Sequence, residues 1–106
     1  MRTSIIRGTT PTIIFKFDQI NASNITKAYL FVKQDVETKI ERDLSTATLN
    51  VEDNQLEWTI TQEESLRLTV GAATYICCDW LLNDEIRGRS KVGKFEVEPS
   101  GKNEVI

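Results

Sequence analysis

The stretch Thr59-Ile-Thr-Gln-Glu-Glu-Ser-Leu-Arg-Leu-Thr-Val-Gly-Ala-Ala-Thr-Tyr-Ile-Cys-Cys-Asp-Trp-Leu-Leu82 decides how this chain reads. It divides into a strand end, one short helical turn, a glycine turn and the chain's most apolar strand. Thr61 is placed to cap the turn. Its hydroxyl can accept from the Glu64 amide while the Glu64 side chain reaches back to the Thr61 amide, a capping box. Glu63 and Glu64 put negative charge at the positive end of the turn's dipole. Leu66 and Leu68 are the residues expected to aim it at the core. Thr69 and Val70 weaken the helix, and Gly71 can take the positive φ that ends it. So short a turn must be held by packing.

Between Tyr75 and Leu82, side chains alternate between two faces. Ile76, Cys78, Trp80 and Leu82 share an apolar face, assigned to the core. Tyr75, Cys77, Asp79 and Leu81 share the other. Trp80 is expected to be the largest single contributor to the core. A one-residue slip would bury Asp79 and expose Trp80, so the register is strongly specified.

Working outward, Thr12–Phe17 alternates, with Ile13, Phe15 and Phe17 on one face. Residues 18–27 carry Asn21, Ser23 and Asn24 and read as a polar loop anchored by Ile25. Two glycosylation-like triplets in that loop are weak short patterns. Ala28–Gln34 is a second strand, with Ala28, Leu30 and Val32 inward and Tyr29, Phe31 and Lys33 outward. Tyr29 and Phe31 are the candidate protein-contact residues. A strand is expected over Thr38–Asp43, with Ile40 and Arg42 covered. Thr46–Val51 and Gln55–Thr61 form a hairpin across the turn Glu52-Asp53-Asn54-Gln55, with Leu56, Trp58 and Ile60 inward. Asn83-Asp84 signals another turn. Arg87-Gly88-Arg89-Ser90-Lys91 reads as a solvated hairpin arm, and 92–98 as a closing strand with Gly93, Phe95 and Val97 inward.

These are about seven short strands at the spacing of a sandwich. Alternation, rather than continuous apolar runs, indicates antiparallel sheets with one wet face each. The expected fold is all-β, an immunoglobulin-like antiparallel β-sandwich with one short helical turn. With 106 residues, a single domain spanning 1–106 is expected, 102–106 being a loose tail.

Composition narrows the function. The formal charge of −3 gives no reason to expect nucleic acid. No stretch approaches the roughly 18 apolar residues of a membrane span, and no signal-peptide pattern opens the chain. There is no histidine, which removes the commonest general base and metal ligand. The two cysteines, Cys77 and Cys78, are adjacent and point to opposite faces, a poor geometry for a disulfide. They read as free thiols in a reducing compartment. The carboxylate pairs Glu52/Asp53, Glu63/Glu64 and Asp84/Glu85 sit in turns or caps, where solvated acids belong. No catalytic, cofactor or metal site is expected, nor a calcium site at Glu52-Asp53-Asn54, which has too few carboxylates.

Arg7-Gly8-Thr9-Thr10, Ile25-Thr26-Lys27-Ala28, Thr61-Gln62-Glu63-Glu64, Gly71, Cys78-Asp79-Trp80 and Gly93-Lys94-Phe95-Glu96-Val97 occur in that order. In this the chain resembles, over nearly its whole length, the immunoglobulin-like domain at the N-terminus of phage baseplate upper proteins and their single-domain relatives in Gram-positive bacteria. Cys77 and Cys78 stand where that family usually has tyrosines, and the family's long C-terminal extension is not expected of this chain. The resemblance implies a non-catalytic virion structural or assembly protein of the tail, baseplate or head–tail region. Its partners would be other phage structural proteins, or itself as a homo-oligomer, in the virion or in the host cytoplasm during assembly. The alternative expectation is a carbohydrate- or cell-surface-binding sandwich.

Overall fold

The computed structural model describes residues 4–102 and 104–106, so the start of the opening segment and one residue of the expected loose tail lie outside the described residues. Among the described residues eight strands form two sheets: β1 (Ser4–Ile6), β2 (Thr12–Lys16), β3 (Ile25–Gln34), β4 (Glu37–Asp43), β5 (Thr48–Asn50), β6 (Gln55–Thr59), β7 (Thr74–Leu82) and β8 (Ile86–Glu98). One helical turn, α1 (Gln62–Leu66), lies between β6 and β7. The larger sheet has the order β1-β8-β7-β3-β4 and the smaller β2-β6-β5. With β2, β6 and β5 on one layer and β3, β7 and β8 on the other, this is the strand distribution of an immunoglobulin-like sandwich, β4 extending the second layer. Every pairing is antiparallel except β1 with β8, which is parallel, Ile5 lying opposite Val97. Three residues are too few to show alternation, so β1 was not foreseeable from pattern.

The inward faces are those the alternation predicts for most strands. Ile13, Phe15, Ala28, Leu30, Val32, Ile40, Leu56, Trp58, Ile60, Ile76, Cys78, Phe95 and Val97 join one core. The capping box forms as expected: the Glu64 amide donates to Thr61 Oγ1 at 3.1 Å and the Thr61 amide to Glu64 Oε1 at 3.0 Å. Gly71 has φ +82°. Leu68 is the core anchor after α1, and Leu66 is only half-buried.

The central indole is a correction. Trp58, not Trp80, is fully buried between the layers. It meets Phe15 edge-on at 5.8 Å, and its Nε1 donates to the Asp43 carbonyl at 2.9 Å. Trp58 belongs to β6, the middle strand of the smaller sheet, so its side chain projects into the centre. Trp80 lies towards the far end of β7 and packs against the core while only partly buried. There Phe17 meets it edge-on at 6.1 Å, and its Nε1 donates to Ser90 Oγ at 3.2 Å.

The closing segment is a second correction. The expected arm and closing strand are one strand, β8. Its pairing with β7 shifts between Ile76 and Cys77, which face Gly93 and Lys91. The residue inserted there switches the inward parity of β8 from Gly88 and Ser90 to Phe95 and Val97. Gly93 sits at this bulge with φ +115° and is exposed, not inward.

Polar side chains tie the loops to the sandwich. Asn54, at φ +54°, donates through Nδ2 to the carbonyls of Phe17 (2.7 Å) and Ile20 (2.8 Å), and its Oδ1 accepts from the Ala22 amide (2.7 Å). Gln34, which pattern alone did not mark as buried, is 2% exposed and exchanges bonds with both backbone groups of Thr69. The segment expected to be a loose tail reaches α1, where the Ile106 amide donates to Gln62 Oε1 at 2.7 Å.

Candidate functional site

The two outer faces of the sandwich differ in chemistry. On the smaller sheet, the rows Thr12–Thr59, Ile14–Glu57–Thr48 and Lys16–Gln55–Asn50 leave a polar surface broken by Ile14. On the larger sheet, β3 presents Tyr29, Phe31 and Lys33, and β7 presents Tyr75, Cys77, Asp79 and Leu81. Tyr29 is 42% exposed and Tyr75 49%; Phe31 and Leu81 are half-buried. Both sequence-predicted contact residues therefore lie on one face, adjacent on β3. The Lys33 ammonium rides 5.6 Å above the Phe31 ring.

Register brings further residues to them. Tyr29 lies opposite Asp43 on β4 and Asp79 on β7, and Asp79 lies opposite Arg89 on β8. Phe31 lies opposite Glu41 and Cys77, and Cys77 opposite Lys91. A groove of about 320 Å³ runs between β3 and β7, lined chiefly by Lys27, Tyr29, Phe31, Asp79, Leu81 and Arg87.

The arginines of the arm are solvent-exposed, as expected, and are also engaged. Arg89 grips Asp79 with two bonds, Nε to Oδ1 at 2.6 Å and an outer nitrogen to Oδ2 at 3.0 Å. Arg87 adds a third at 3.3 Å. Flanked in this way, Asp79 is only 8% exposed although it stands on the outer face. The Arg89 hydrogen bonds hold its carboxyl below the ordinary carboxylate value; burial opposes this and Arg87 reinforces it. The arginine–carboxylate cluster was not visible in the sequence, because the adjacency of Asp79 to Arg87 and Arg89 depends on the β7–β8 register.

Both cysteines are free. Burial, seconded by the charge of Asp79, pushes the Cys78 thiol up to about 12, which leaves it un-ionised and inert at neutral pH. Among the described residues no group of three or more His, Cys, Asp or Glu side chains is placed to hold a metal. The acidic pairs fall in the turn after β5, at α1 and in the β7–β8 turn. No helix of the described residues is long and apolar enough to cross a membrane.

No model of a known protein family matches the chain, and no curated protein matches it. Among solved structures it is similar to extracellular domains 3–5 of Drosophila OTK, at 14% identity and a TM-score of 0.39. That likeness covers 93% of this chain and 33% of the Drosophila chain.

Proposed function

We propose that this protein is a non-catalytic structural or assembly module of a phage or prophage virion, of the tail, baseplate or head–tail accessory kind. It works by docking virion proteins, other copies of itself among them, on the outer face of its larger sheet. The observation that carries this reading is the contrast between that face, with Tyr29, Phe31, Tyr75 and Leu81, and the polar face opposite. Apolar and aromatic side chains clustered on one exposed face mark contact sites.

The ordered sequence motifs support the phage assignment, and several have a shared physical purpose here. Gly8, at φ +88°, donates its amide to Ser65 Oγ at 2.9 Å, and Ser65 donates to the Thr9 carbonyl at 2.8 Å. Arg7 Nε donates to the Leu68 carbonyl at 2.9 Å. The opening Arg-Gly-Thr segment is thus docked on the capped turn that Thr61 and Glu64 begin.

The test is a pull-down against the virion proteins encoded beside this chain, with wild type and the Tyr29→Ala/Phe31→Ala double variant. Wild type should bind at least one of them, and the double variant should lose that binding while still unfolding in a single cooperative transition, its Tm lowered only by the loss of the half-buried Phe31 ring. Failure of wild type to bind any virion protein would overturn the reading. The groove beside Tyr29, with its ionised Asp79 and Arg87, favours a second reading as a sugar-binding module. Specific glycan-array binding that Tyr29→Ala abolishes would establish it.

A further inference from the structure

Charge crosses the outer face of the larger sheet in one direction. In the row through Phe31 the order from β4 to β8 is Glu41, Phe31, Cys77, Lys91. In the row through Tyr29 it is Asp43, Tyr29, Asp79, Arg89. In these two rows the β4 end is acidic, Asp43 also accepting from the Ser45 amide, and the β8 end is basic, Arg89 being paired with Asp79; between them lie aromatic and apolar side chains together with Lys27 and Lys33 of β3. Such a face is complementary to itself. Rotation of a second copy about a two-fold axis that runs along the strands, between β3 and β7, lays its β8 over the first copy's β4. Glu41 then faces the second copy's Lys91, Asp43 faces its Arg89, and Phe31 lies against its Cys77. The operation is isologous, so both acidic edges find basic ones and the assembly closes at two.

We infer that this face binds a second copy of the same chain. The inference rests on the docking reading above and names its partner. The area sets the strength. Four strands at about 4.8 Å spacing, over a length of about 33 Å for the ten residues of β3, give about 600 Å² per copy. That is about 1,200 Å² in total, the lower limit for a specific interface. The dimer is therefore a weak, concentration-dependent one, whose charge register sets orientation more than affinity.

The experiment is sedimentation velocity over a concentration series with charge-reversed chains. Glu41 and Lys91 are exposed and take part in no ion pair among the described residues, so reversing them spares the fold. Wild type should dimerise reversibly. Glu41→Lys and Lys91→Glu should each weaken the dimer at least about tenfold, because like charges then meet across the interface. Mixing the two variants should restore association, since the charge reversed by Glu41→Lys in one meets the charge reversed by Lys91→Glu in the other, and the double variant should recover a homodimer by charge exchange. A wild type that stays monomeric at millimolar concentration, or single variants that dimerise as wild type does, would overturn the inference. If such a monomer still binds a virion protein through Tyr29 and Phe31, the docking reading survives; if it binds neither, both fall.

Discussion

Gly88 shows how a single residue can be dictated from across the sheet. It lies opposite Trp80, and a Cβ built on it would sit 2.3 Å from the indole Cζ2 and 2.4 Å from Cη2. The ring occupies the space a side chain would need, so glycine is required here for close approach. Gly88→Ala should cost about 1–3 kcal/mol through overpacking, read as a lower Tm together with a change in tryptophan emission. The two indoles should also separate by accessibility. Acrylamide should quench Trp80 more strongly than the fully buried Trp58, so Trp80→Phe should leave a poorly quenched protein. The Cys78 thiol, buried and raised to about 12, should resist alkylation in the native protein and react only on unfolding, as followed by mass spectrometry.

Among the elements, α1 is the most dependent on its surroundings. Five residues cannot hold a helix alone, and its stability comes from its cap and its contacts. Arg42 on β4 reaches Glu64 Oε1 at 2.6 Å and also bonds Thr46 Oγ1 and the Thr59 carbonyl, tying the turn to both sheets. Ser65, fully buried, satisfies the Gly8 amide and the Thr9 carbonyl. Thr61→Ala should cost about 1 kcal/mol, the usual cost of losing a cap. Ser65→Ala should cost more, about 1–3 kcal/mol, because it strands backbone groups away from water. Urea unfolding of the two variants side by side checks the order. Turns show the same local logic: Asn83 and Asp84 have φ +50° and +60°, and the Glu85 amide donates to the Leu82 carbonyl at 3.0 Å, a type I′ hairpin turn.

For the molecule as a whole, pH acts through Asp79, which joins β7 to β8. Its carboxyl titrates below the ordinary value in the folded state, so the folded form binds that proton less readily than the unfolded chain. Its stabilising contribution is therefore complete above the unfolded value, about pH 4, and is lost as pH falls through the folded one. The stability difference between wild type and Asp79→Asn should be constant from pH 7 to pH 5 and shrink towards pH 3, measured by denaturant unfolding at each pH. The same Asp79 row also crosses the proposed docking face, from the acidic β4 edge to the basic β8 edge.

The sequence by itself determined the all-β class, most inward faces, the β5–β6 hairpin, the capping box at Thr61 and the outward placement of Tyr29 and Phe31. Each of these depends on alternation or on neighbours within a few residues, where side-chain periodicity and turn chemistry act directly. Tertiary structure alone decided which indole is central, because burial depends on what the opposite sheet covers and not on the strand's own pattern. It alone made β8 one strand, since the bulge that switches its parity exists only as a mismatch with β7. It alone gathered Asp79, Leu81, Arg87 and Arg89 around Tyr29, because cross-strand register joins residues that are dozens of positions apart along the chain.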